Sequence, residues 1–234
     1  MRAYWRASLS PAYNFFLALF LLVGYEGLMY VLGGAPTSTR NLVDQWLTRL
    51  LGWTNPYQWV VSLLIVLLGL AYVYGIRRDT STLTEWVFLV MLMEAAAWAV
   101  VLYKFLPLLT AHVLPPAAQL SLFLSEDFWL GLAQCLGAGF YEELFFRVLL
   151  VEALRFLLTG FSSTKATALH TVIVWCISAI LFSLAHFLYE PFRAYAFWYR
   201  TLFGLFMSGL YILRGFGITA WAHALYDLYV LWWA

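Results

Sequence analysis

Charge is what this sequence has least of. Of its 234 residues only 11% are Asp, Glu, Lys or Arg, where soluble domains carry about a quarter. Another 64% are hydrophobic and 20% aromatic, and the mean hydropathy is +0.82. Such a chain cannot cover its own surface with polar groups, so a water-soluble domain is excluded and lipid is the expected solvent. The formal net charge of +1 gives no excess to attract nucleic acid or an acidic partner, and nucleic acid is excluded as a partner. Cysteine is scarce too. Cys135 and Cys176 both lie in apolar runs, which reads as two small core residues and not as a disulfide framework. Internal repeats, low-complexity tracts and linkers long enough to separate domains are all missing, so residues 1–234 are expected to form a single integral membrane domain. The N-terminus MRAYWRASLS is basic, yet the long apolar run after it has no small-residue cleavage pattern. A retained first helix is expected there rather than a signal peptide.

What is present is apolar sequence in span-length pieces. A span needs about 20 mostly apolar residues, and seven stretches qualify: 12–34, 57–76, 83–106, 128–158, 168–190, 196–214 and 217–233. An eighth, shorter or re-entrant element is accommodated in 106–127, which Pro107, Pro115 and Pro116 interrupt. The expected fold class is therefore all-α, a polytopic transmembrane helical bundle of seven to eight spans. The longest polar-leaning connection is expected to carry an interfacial amphipathic helix from Arg40 to Leu51. With the N-terminus in the cytoplasm, Arg2, Arg6, Arg77, Arg78, Arg155, Lys165 and Arg214 fall inside and Arg40, Arg49, Lys104, Arg193 and Arg200 outside. That small excess favours this orientation.

Against this background the stretch GFYEELFFRVLL, residues 139–150, is anomalous. Charges near the bilayer centre are costly, so intramembrane ionisable residues normally face the bundle interior and mark function. On a helix, Glu143 and Arg147 share a face at i,i+4 spacing, as an ion pair needs. Glu142 points about 100° away from Glu143 and is left for a different partner. Two later spans supply candidates: ILFSLAHFLYEP contains Phe182 and His186, and ITAWAHALYDLYVLWWA contains His223 and Asp227 one turn apart. Each has a bland reading as well. A lone histidine on an apolar helix is usually a hydrogen-bonded core residue, an i,i+4 His/Asp pair is often an interhelical clasp, and the Glu/Arg group alone is accounted for by a structural charge cluster. The combination over three spans carries the weight.

The ordered set E-E-x-x-x-R (Glu142, Glu143, Arg147), F-x-x-x-H (Phe182, His186) and H-x-x-x-N/D (His223, Asp227) resembles the CAAX-protease and bacteriocin-processing family of intramembrane glutamic endopeptidases. The glycine-spaced run FGLFMSGLYILRGFGITAWAHA before the last motif fits it too, and the resemblance covers about residues 128–234, the family-like catalytic core. A carboxylate serves as general base for water once desolvation makes it basic enough, and the resemblance gives that role to Glu142. His186 is then expected to hold the water, and His223 to bind or protonate the oxyanion. Many family members have Asn where this chain has Asp227. An ionised Asp only accepts hydrogen bonds, so Asp227 is expected to orient His223. Glu143, Arg147 and Phe182 are expected to support the helices that present these groups. The implied activity is hydrolysis of a peptide bond in a membrane-associated or lipidated protein, without metal or cofactor; the short chain, compact loops and absence of extra domains suggest a prokaryotic inner membrane.

Three other readings compete. Two His and a Glu suit a zinc peptidase, though H-E-x-x-H is absent; chelator sensitivity distinguishes it. A non-catalytic partner, immunity or scaffold protein would keep the fold and tolerate loss of Glu142. A proton-coupled transporter would show repeat symmetry or matched broken helices, which the sequence lacks. Glu26 and Glu94 lie outside the motifs and are expected to be buried carboxylates bonded by Tyr or Trp, His170 is expected near an interface, and His112 is expected in a loop. One tension remains in the geometry. Counted from Pro191 and Gly215, straight upright helices would leave His186 and His223 about 10 Å apart in depth. A shared site then requires tilt, or a His186 helix continuing past Glu190.

Overall fold

In lipid, backbone polar groups are satisfied only within helices or closed barrels. The computed structural model describes residues 2–32, 40–52, 59–111, 128–159 and 168–233, and among these there is helix and no strand. Helix α1 is Arg2–Ser8 and α2 is Pro11–Val31, with proline at its start, where the missing N–H costs nothing. Helix α3 is Leu42–Leu50, and its N-cap Asn41 accepts a hydrogen bond from the Val43 N–H. Helix α4, Trp59–Leu70, continues as a π-helical turn over Ala71–Ile76. Helix α5 is Glu85–Ala111, with Pro107 near its end. Helix α6, Phe128–Gly137, runs through two π-helical segments, Ala138–Glu142 and Leu144–Leu149, into α7, Leu150–Thr159. Helices α8, Ala168–His186, α9, Ala194–Arg214, and α10, Phe216–Trp233, follow.

Each of the seven expected apolar stretches carries helix among its described residues, the fifth only as far as His186. Among the described residues, four helices are long and apolar enough to cross a membrane: Pro11–Val31, Trp59–Ile76, Glu85–Thr110 and Leu169–His186. The chain is an all-helical integral membrane protein. Helix α5 absorbs the start of the 106–127 stretch, while 112–127, including His112, lies outside the described residues, as does Lys165. The helix expected from Arg40 to Leu51 is present as α3.

Helix α10 is central, packed against α2, α5, α6, α9 and the first π segment. Gly139 makes one of these approaches possible: a Cβ there would lie 2.5 Å from the Ala220 carbonyl oxygen and 2.6 Å from the Ala224 Cβ. The outer surface carries large apolar side chains such as Phe20, Leu68, Met93 and Leu184, as a lipid-facing surface should. That surface corrects one expectation. Cys135 is buried, but Cys176 is exposed on α8, because in a membrane protein an apolar run does not distinguish interior from exterior.

Two arginines counted above as loop charges are buried instead. Arg214, at the end of α9, pairs with Glu94 at 2.5 and 2.7 Å and bonds Ser8 at 2.9 Å. Tyr4 and Trp98 donate to the same carboxylate. Arg40 pairs with Asp44 and, at 2.5 Å, with Glu26, which also accepts from Ser62 and Tyr141. The expected tyrosine and tryptophan donors are there, but each carboxylate also has an arginine that local sequence does not reveal.

Candidate functional site

The site is built around the irregular helix that carries Glu142 and Glu143. A π segment closes i→i+5 hydrogen bonds, one residue more than an α turn, and such segments recur at functional sites. Here two of them flank Glu143. The backbone is held from outside: the Ser178 hydroxyl on α8 donates to the Phe146 carbonyl at 2.9 Å.

Glu143 and Arg147 are both fully buried. Arg147 Nε lies 3.1 Å from Glu143 Oε2, the i,i+4 pair expected from spacing. The guanidinium also sits over the Phe182 ring, 4.6 Å from its centroid. The other oxygen of Glu143 accepts from His223 Nδ1 at 2.7 Å. His223 Nε2 lies 3.4 Å from Asp227 Oδ2, so both ring nitrogens face carboxylates and the imidazole is held from two edges. Glu143 thereby does more than anchor its own helix, because it also fixes the histidine of α10.

Glu142 faces elsewhere. It is 6% exposed, and its Oε2 lies 3.9 Å from His186 Nε2. His186 donates from Nδ1 to the Phe182 carbonyl at 2.9 Å, which leaves Nε2 as the ring's free acceptor towards Glu142. The side chain of His186 is 22% exposed, so the pair opens outward on the histidine side. The remaining oxygen, Oε1, accepts from Asn41 Nδ2 at 2.9 Å. Asn41 was not among the candidates. Its place before an apolar helical run marks it as an N-cap, but no sequence pattern indicates what its amide touches.

Phe182 packs between the two imidazoles, with ring centroids 5.0 Å from His186 and 6.3 Å from His223. One phenylalanine thus touches both rings. Helix α8 ends at His186 and does not continue past Glu190. Among the described residues no group of three or more His, Cys, Asp and Glu side chains is arranged to hold a metal ion. His223 is committed to Glu143 and Asp227, while His186 faces Glu142.

The helical bundle thus gathers acids and imidazoles from three of its helical runs into one interior cluster. Residues 124–229 match the family model described as type II CAAX prenyl endopeptidase Rce1-like, which supports the CAAX-protease family for this part of the chain. That is a family of proteases, and it implies a membrane-associated protein substrate. No match was found among curated proteins or solved structures.

Proposed function

We propose that the protein is an intramembrane glutamic-type endopeptidase, a bundle of seven spanning helical runs that hydrolyses a peptide bond in a membrane-associated or lipidated protein. The observation that carries this reading is the Glu142–His186 pair, 3.9 Å apart, with the carboxylate buried and no other ionic partner among the described residues on the facing atoms. That distance is too long for a direct hydrogen bond and suits a water bonded to both groups at about 2.8 Å each.

The reaction then runs in two steps. Glu142 takes a proton from the water while the oxygen adds to the scissile carbonyl carbon. His223, held through Nδ1 by Glu143, shares the Nε2–H that faces Asp227 with the developing oxyanion, and Asp227 orients the ring from that edge. Collapse of the tetrahedral intermediate breaks the C–N bond, and Glu142 returns its proton to the leaving amine. Phe182 separates the imidazoles and Arg147 balances Glu143. No metal is required by this sequence of steps.

The experiment is cleavage by the purified protein in liposomes, read by mass spectrometry, on a panel that includes a prenylated CAAX peptide and unprenylated membrane proteins. Cleavage that survives a chelator and is lost in His186→Ala is the expected result. Chelator-sensitive cleavage would favour a metallopeptidase, and no cleavage of any panel member a non-catalytic partner protein.

A further inference from the structure

We infer that Asn41 is a positioning residue for Glu142, so that the site is completed from the amino-terminal half, outside the family-matched segment. Its catalytic consequence rests on the peptidase reading above. The geometry itself does not.

The amide of Asn41 has no freedom to present its other end. Its Oδ1 accepts from the Val43 N–H at 3.0 Å, the cap of α3, which leaves only Nδ2 facing Glu142. Each oxygen of Glu142 thus has its own neighbour: Oε1 takes the amide at 2.9 Å and Oε2 faces His186. The terminal torsion of a glutamate is broad, so without the amide no other hydrogen bond from the described residues would stop Oε1 turning and taking Oε2 away from the imidazole.

The start of α3 is itself fastened. The Asn41 backbone N–H donates to the Tyr25 hydroxyl at 3.0 Å, and that hydroxyl donates to Asp44 at 2.9 Å. Asp44 pairs with Arg40, which reaches Glu26. Gly137, just before the first π segment, admits this group: a Cβ there would meet Tyr25 at 2.7 Å and the Asn41 Cβ at 3.1 Å. The middle of α3 reaches the other half of the pair. Trp46 donates to the Tyr189 hydroxyl at 2.9 Å, three residues past His186, and its ring meets Phe145 edge-on at 5.9 Å. Helix α3 thus ties the glutamate-bearing helix to the end of α8 and holds the spacing between Glu142 and His186.

Two variants separate positioning from folding. Asn41→Ser keeps a good N-cap but is too short to reach Glu142. Asn41→Asp keeps the cap and the size but replaces the donor with an acceptor. On the prenylated CAAX peptide or whichever panel member is cleaved, kcat should fall about 10- to 100-fold in Asn41→Ser, as misplacement of a reacting group does, with KM within about twofold, and at least as far in Asn41→Asp. Infrared spectroscopy supplies a readout that needs no turnover. The carboxyl band of Glu142 is identified by its loss in Glu142→Gln, and it should shift in Asn41→Ser. A shifted band in a protein that cleaves nothing would uphold the positioning role while the peptidase reading failed. An unshifted band, or kcat within twofold of wild type, would overturn the inference, as would activity losses that only track a lowered melting temperature in both variants.

Discussion

Glu143 holds two partners at once, Arg147 on its own helix and His223 on α10, and this predicts an order among substitutions. Glu143→Ala leaves Arg147 fully buried with no carboxylate, and its terminal nitrogens have no hydrogen-bond partner among the described residues to compensate. Removing one member of a buried pair costs about 3–5 kcal/mol. Arg147→Ala should cost less, because Glu143 keeps its bond to His223. Thermal melts in detergent check the order, and equal losses would argue against the double role. The Glu143–Arg147 and His223–Asp227 pairs were legible in the sequence because both are i,i+4 contacts within one helical run. Asn41 was not, since its contact with Glu142 spans 101 positions and depends on how α3 lies against the bundle. The same holds for Arg214 with Glu94, 120 positions apart.

Among the elements, the helix of Glu142 is least like its sequence. Apolar residues surround it on all sides, so no periodicity signals the change from α to π winding at Ala138. The seven helical stretches were legible because length and apolarity alone mark them. What positions the site is the approach of α10, which Gly139 permits. Gly139→Ala should cost about 1–3 kcal/mol through overpacking. It should cut activity further than the stability loss explains, because His223 adjoins the displaced Ala224. Comparing melting temperature with kcat at a temperature where both proteins are folded tests this, and activity falling only in step with stability would contradict it. A second element-level prediction concerns the loop before α5. Asp79 accepts from Ser10 at 2.5 Å, Ala12 N at 2.9 Å and Ser81 N at 2.9 Å, so it caps α2 from a distance. Burial raises this carboxyl, but the hydrogen bonds from Ser10, Ser81 and Ala12 outweigh it and hold it well below the usual carboxylate range. A depressed folded-state value contributes stability that is present above the unfolded value of about 4 and lost as pH falls through the folded one. Asp79→Ala should therefore cost about 1 kcal/mol at neutral pH, with the difference from wild type shrinking below about pH 4. A pH-independent difference would contradict this.

For the whole molecule, the carboxyl-terminal half supplies the acids and imidazoles, and the amino-terminal half supplies their enclosure and at least one donor. Arg214 and Glu94 join α9 to α5, with Ser8 bringing in α1, while Arg40 and Glu26 join the start of α3 to α2. Two of the charges counted for topology serve the interior, one from each side of the count, so the small excess is unchanged by their removal. The central claim is that Glu142 activates water beside His186. The direct measurement is turnover by purified wild type and Glu142→Gln in liposomes on the peptide the wild type cleaves, with melting temperatures recorded for both. The account predicts equal folding and a rate lowered at least about 100-fold, the scale of a lost general base. A correctly folded Glu142→Gln protein that turns over at the wild-type rate would contradict it.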